Sequence, residues 1–275
     1  MNRMLSLVAV FLLLSCQNPY ELTREPADHF VVIYIGTESR TPMDPVDKNV
    51  FLLETAKVYE EFRKRGVPKE NIYVLYFDSQ VDWNSESQTE FSDDFKQEFS
   101  QDYFNTASIK NLLKIEDLVD DSLKANSVFH LVLNAHGRVD ASGFYMHSEL
   151  DNRLIRADLL NDMLNDNKGI THLYVGSCYS GKLKDEIKEG EGVLIMGAND
   201  KGSCWLDREN SFGRIYFSNL PKDLEPEKYQ HSFEESRKSY IQWGKERSDF
   251  IFNSYKTNKR SELKTLVWDP LIKKL

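Results

Sequence analysis

Five short runs of β-branched, aromatic and aliphatic residues, with helical patterns between them, restrict this sequence more than any other feature. They are His29–Ile35, 71–77, 128–135, 172–176 and Gly192–Met196. Each is nearly continuous in apolar character rather than alternating, which suits strands covered on both faces, as in a parallel sheet. Between the first two, Leu52, Leu53, Ala56, Tyr59 and Phe62 recur at helical spacing over 50–65, and Gly66 stops that helix before Pro68. Further helix patterns cover 108–124 and Ala157–Asn165, the second closed by Gly169. The βαβ alternation predicts a mostly parallel central sheet with helices on both faces, a three-layer α/β/α sandwich.

Three stretches interrupt the alternation. Residues 79–101 are polar, acidic and rich in Ser, and read as a long surface insertion that suits a lid. Residues 143–155 contain the alternating run Phe144-Tyr145-Met146-His147, a hairpin candidate, and beyond Leu220 a helix over 233–245 precedes a last strand candidate at 264–268. No internal repeat is present. The 275 residues suit one α/β core with insertions.

The first residues have the form of an export signal. Arg3 is positive, Leu5 to Leu14 are apolar but too short for a comfortable membrane span, and Leu13-Leu14-Ser15-Cys16 resembles the bacterial lipobox, whose cysteine becomes the lipidated N-terminus. The expected division is a lipoprotein signal peptide at 1–15, a lipidated N-terminus and tether at 16–28, and one domain at 29–275. Acyl chains on Cys16, at about 0.8 kcal/mol per buried methylene, would hold the chain to a bacterial membrane on its exported, periplasmic or cell-surface face. An ordinary secretory signal, or an N-terminal membrane helix with a chance cysteine, is the plainer alternative. The formal net charge of −9 and the lack of a dense Lys/Arg tract exclude nucleic acid as the expected partner.

With Cys16 modified, Cys178 and Cys204 remain, and the plain alternative for them is a single disulfide. The context of Cys178 suggests chemistry instead. In a parallel α/β sheet, reactive groups gather beyond the carboxyl ends of adjacent strands. The third run ends Asn134-Ala135-His136-Gly137 and the fourth Gly176-Ser177-Cys178-Tyr179-Ser180-Gly181. A thiol needs an imidazole nearby to raise its thiolate fraction, and the same imidazole protonates a leaving amine. Gly137 allows close approach, so its N–H and that of Cys178 are candidate oxyanion donors. Of the other histidines, His130 and His172 lie inside apolar strands and read as core residues, His29 as a strand start, and His147 and His231 as hairpin or surface positions. No metal site is expected, because no His, Cys or carboxylate pair shows zinc-ligand spacing. Asp120-Asp121 reads as a solvated helix face.

A strand ending in His-Gly, followed some forty residues later by a strand ending in a small residue and Cys, resembles the legumain family and its wider group of caspase-like peptidases. The framing is similar too: the opening strand, Gly66-Val67-Pro68, the strand closing on Tyr76-Phe77-Asp78, and Gly192 to Asn199, Ser203-Cys204-Trp205 and Phe212-Gly213 around the expected pocket. The resemblance covers roughly residues 29 to 255, patchily. It implies a caspase-like sandwich, a protein or peptide substrate, no cofactor, a catalytic dyad of Cys178 and His136, and oxyanion donors at Gly137 and Cys178. Asn134, Ser177, Asn199, Ser203 and Arg214 are the expected cleft residues. The chain departs from the family at two pocket positions: Gly176 stands where legumains carry an acid two before the cysteine, and Arg214 stands near their second pocket acid. The arginine before their first long helix has only Arg40 and Asn49 as stand-ins. Cleavage after Asn therefore lacks its usual pocket, and an Arg214 in the cleft favours an acidic or polar P1 side chain.

Three other functions fit parts of the sequence. Gly176-Ser177-Cys178-Tyr179-Ser180 approximates the nucleophile elbow of α/β-hydrolases, with Asp207 and His231 following in that fold's chain order, though Ser180 replaces the second elbow glycine. The same Cys-His pair serves a transpeptidase as well as a hydrolase. A surface lipoprotein using the sheet end only to bind is the non-catalytic alternative.

Overall fold

The computed structural model describes residues 25–37, 50–77, 91, 93, 95–96, 104–165, 167–188, 192–197, 211–255 and 271–274. The expected export segment and Cys16, Arg40, Asn49, Asn199, Ser203, Cys204, Asp207 and the strand candidate at 264–268 lie outside the described residues.

Seven strands form one sheet: β1 (His29–Ile35), β2 (Ile72–Tyr76), β3 (Phe104–Asn105), β4 (Val128–Asn134), β8 (Ile170–Gly176), β9 (Gly192–Met196) and β10 (Leu271–Lys274), in the order β10-β9-β8-β4-β1-β2-β3. All neighbours are parallel except β10, which pairs antiparallel with β9. The expected parallel sheet is thus present, and its last described strand lies later than 264–268. Helix α1 (Val50–Lys64), α2 (Ile109–Ser122), α3 (Ala157–Asn165), α4 (Phe212–Ser218) and α5 (Tyr229–Tyr255) complete the layers. Along β1 the side chains alternate between two cores. Val31, Ile33 and Ile35 pack with Phe62, Tyr216 and Phe233 of α1, α4 and α5, and Val32 and Tyr34 pack with Leu112 and Leu160 of α2 and α3. Burial on both faces is what made the strands read as continuous apolar runs.

Between β4 and β8 the chain makes a second, antiparallel sheet: β5 (Gly137–Asp140), β6 (Gly143–Ser148) and β7 (Arg153–Arg156). The expected hairpin is therefore three strands, and its first strand starts directly after His136. This sheet is tied to the end of β1. Glu149 N–H donates to Gly36 O at 2.8 Å, and the Tyr34 hydroxyl reaches Ser148 Oγ at 2.6 Å.

Helix α1 is buried on more than its sheet-facing side because α4 covers it. Glu54 of α1 meets Ser211, the N-cap of α4, while Arg65 just beyond α1 donates to the carbonyls of Leu220 (2.7 Å) and Pro221 (3.1 Å) past the other end of α4. An acid at the amino end and a base at the carboxyl end match the helix dipole. The acidic stretch 79–101 is not surface throughout: its described Phe91 and Phe95 are buried, and Phe95 lies edge-on to Tyr59 of α1. Two aromatic rings gain more from the core than their polar neighbours in sequence suggest.

The α1 face also buries three histidines side by side. His29 Nδ1 lies 3.0 Å from His130 Nε2, His130 Nδ1 lies 2.9 Å from His172 Nδ1, and His172 Nε2 lies 2.9 Å from the Tyr216 hydroxyl. One proton per ring satisfies this chain in either direction. Burial holds His130 well below the usual imidazole range and His172 down to about 3.

Candidate active site

Asn134 on β4 pairs with Gly176 on β8. His136 and Cys178 therefore lie two residues beyond the last paired positions of adjacent parallel strands, whose spacing is about 4.8 Å. A two-residue step keeps a side chain on one face, and Val132 and Tyr174 fix that face as the one covered by α1 and α4. His136 follows this parity: its exposed ring meets Phe51 of α1 edge-on, with centroids 5.9 Å apart. Cys178 is half-buried and is a thiol, not half of a disulfide.

Two glycines let the strand ends interlock. A Cβ on Gly137 would overlap Ser177 Oγ and the Cys178 carbonyl oxygen, and a Cβ on Gly176 would overlap Asn134 Oδ1. Position 176 therefore has no room for a side chain, since that of Asn134 occupies the space. After Cys178 the chain leaves the sheet abruptly. Tyr179 is left-handed with φ 62°, a conformation that costs a non-glycine residue about 1–3 kcal/mol. Ser180 N–H then donates to Ser177 O at 3.3 Å and Lys182 N–H to Tyr179 O at 3.0 Å, opening the 3-10 turn Ser180–Asp185.

The orientation of the Gly137 amide follows from its pairing. His147 N–H donates to His136 O at 3.0 Å, and Gly137 stands opposite Met146. In an antiparallel ladder hydrogen-bonded and non-hydrogen-bonded pairs alternate, so Gly137 occupies a non-hydrogen-bonded position and its N–H points away from β6.

The remaining expected residues separate into two groups. Asn134 and Ser177 are buried beneath the strand ends, at 1% exposure each, and Arg214 is half-buried in the first turn of α4, its N–H on Ser211 Oγ at 3.0 Å. Asn199, Ser203 and Asp207 lie outside the described residues. His231 is exposed on α5, and no strand pairing brings it to the end of β8. Among the described residues no group of three or more His, Cys, Asp or Glu is placed to hold a metal ion. Glu54 and Ser211 were not foreseen. Both are buried, with Ser211 Oγ donating to Glu54 Oε2 at 2.7 Å. Ser211 ahead of Phe212-Gly213 was a legible helix start, whereas nothing in the sequence marks Glu54 as internal.

The fold and site together define an α/β protein whose parallel sheet carries an imidazole and a thiol on adjacent strand ends. No protein-family model matches the chain, and no curated protein matches it. Among solved structures it is similar to the Drosophila initiator caspase Dronc, with a TM-score of 0.48 and 10% identity over 92% of this chain and 82% of that one. A likeness of that size is no ground for assigning chemistry.

Proposed function

We propose that this chain is a cysteine endopeptidase with Cys178 as nucleophile and His136 as its proton-transfer partner. The observation that supports this reading is the β4–β8 register, whose last pair, Asn134 opposite Gly176, leaves His136 and Cys178 each two residues past the end of adjacent strands. The Cys178 thiolate attacks the peptide carbonyl carbon, and the oxyanion that forms is held by the N–H groups of Gly137 and Cys178. As the C–N bond breaks, the His136 imidazolium gives its proton to the leaving amine, leaving a thioester on Cys178. Water then attacks the thioester carbonyl, His136 takes the proton, and the carboxylate product leaves with the thiolate restored. Arg214, half-buried in the first turn of α4, is the positive charge proposed to favour an acidic or polar P1 side chain.

Lipid anchoring through Cys16 at a bacterial membrane, on the exported side, belongs to the same proposal and rests on the lipobox-like Leu13-Leu14-Ser15-Cys16. No helix among the described residues is long and apolar enough to cross a membrane.

The test is hydrolysis of a fluorogenic peptide library varied at P1, with protein starting after Cys16. Cleavage that disappears in both Cys178→Ala and His136→Ala is the expected result. A folded wild-type chain that cleaves nothing, or cleavage that survives either substitution, rejects it.

A further inference from the structure

Among the described residues the His136 ring has one aromatic neighbour, and the mechanism above does not use it. Phe51 of α1 meets the imidazole with centroids 5.9 Å apart and planes at 85°. This is the edge-to-face arrangement that aromatic quadrupoles favour.

The topology explains how Phe51 reaches the site. β1 and β2 are parallel neighbours, so α1, between them in sequence, runs back across the sheet and starts at its carboxyl edge. Helical side chains lean toward the amino end of their helix, which carries a first-turn residue out beyond the strands. Phe51 opens the stripe that continues through Thr55, Val58 and Phe62, all fully buried. Its own seat is fixed: Thr55 Oγ1 donates to Phe51 O at 2.8 Å, Leu52 beside it is fully buried, and Phe51 itself is half-buried against the core on this side of the sheet. His136 is held separately, by the β4 ladder before it and the β5–β6 ladder after it. Two rings on independently anchored segments thus meet at a set angle.

An exposed imidazole turns broadly about its Cβ–Cγ bond, because terminal torsions onto flat groups have shallow wells. Only part of that range points a ring nitrogen toward the neighbouring strand end. The perpendicular contact with Phe51 is lost when the imidazole tilts, and a contact of this kind biases such a rotor by about two- to tenfold. We infer that Phe51 is a positioning residue for His136: its ring holds the imidazole plane in the orientation that serves Cys178. The inference rests on the peptidase reading for its turnover assay only. Its second assay, alkylation of Cys178 by iodoacetamide at neutral pH, needs no turnover.

The test is a cycle of variants on the full chain. Phe51→Leu keeps an apolar side chain without the ring, Phe51→Ile repeats the comparison with a second ring-free side chain, and Phe51→Tyr keeps the ring. Each ring-free variant is expected to slow alkylation about fivefold and to lower kcat by a similar factor at nearly constant KM. Phe51→Tyr is expected to stay within about twofold of wild type in both assays. In a His136→Ala background, itself slow to alkylate, adding Phe51→Leu is expected to change the rate by less than about 1.5-fold, because no imidazole is left to orient.

Wild-type rates in folded Phe51→Leu or Phe51→Ile overturn the inference, as does a loss that Phe51→Tyr shares. A loss of full size that persists in the His136→Ala background overturns it too, since Phe51 then acts on the thiol's surroundings without the imidazole. So does alkylation that His136→Ala leaves unchanged. If alkylation follows the expected pattern but no peptide is cleaved, the peptidase reading fails and the positioning role stands.

Discussion

His130 and His136 sit six residues apart on the same run of chain, and His172 and Cys178 are six apart on its neighbour. The inner members of these pairs are fully buried, and the outer members are half-buried or exposed. Inside the sheet, desolvation by Phe62, Phe217 and Tyr229 makes the charged imidazole costly, so each ring serves as a neutral link in the chain ending on Tyr216. Past the sheet, the His136 ring is exposed to water. One residue type on one run of chain is thus internal or exposed according to whether the strand has ended.

The largest expected effect separates His130 of β4 from His136 just beyond it. His136→Ala should lower peptide hydrolysis by on the order of a thousandfold or more while thermal unfolding moves little. His130→Leu should cost about 2–4 kcal/mol of stability, read from urea unfolding, while the folded fraction keeps its activity. The reverse pattern would remove the distinction between inner and outer positions. Next comes the joint itself: Gly137→Ala, forced against Ser177 and Cys178, should destabilise by about 1–3 kcal/mol and also lower kcat, because the same displacement moves a candidate oxyanion donor.

A third test uses pH. Above the ordinary imidazole value of about 6.5, His130 and His172 are neutral in the folded and unfolded chain alike. As pH falls through that value the unfolded chain takes up protons that the folded chain refuses, until His172 itself accepts one at about 3. Their contribution is therefore present above pH about 6.5 and is lost progressively below it, at about 1.4 kcal/mol per pH unit for each histidine. In His172→Gln the melting temperature should fall less steeply than in wild type between pH 6.5 and 4, and parallel slopes would show that the ring titrates freely. Arg214→Glu should shift P1 preference from acidic toward basic side chains by about tenfold in kcat/KM, measured on the peptide library. Arg156→Ala, which removes an exposed pair with Asp140 and a contact over Tyr145, should leave melting temperature and turnover unchanged within error.

Much of the fold was legible because its strands are buried on both faces: β1, β9 and α3 match the apolar patterns residue for residue. The places of His136 and Cys178 just past two strand ends were legible because each stands within two residues of such a run. What was illegible depends on tertiary partners. Helix α4 is only seven residues long and has too few turns to display a period. Strand β5, Gly-Arg-Val-Asp, gains its conformation from pairing with β6 and not from its own composition. Glu54 looks like any charged residue near a helix start, and only the docking of α4 converts it into an internal group. Phe91 and Phe95 were hidden in the opposite sense, two apolar residues inside an acidic stretch.

The paired strands on either side of His136 have one more consequence. β4 is hydrogen-bonded before it and β5 after it, so the backbone that carries the imidazole cannot rotate without breaking a ladder. Cys178 has a ladder on one side only and then the left-handed Tyr179. Hydrogen exchange should therefore find slow amides flanking His136 and faster ones just after Cys178. The two positions differ mechanically: the backbone at His136 is a post held from both sides, and that just after Cys178 is an arm held from one.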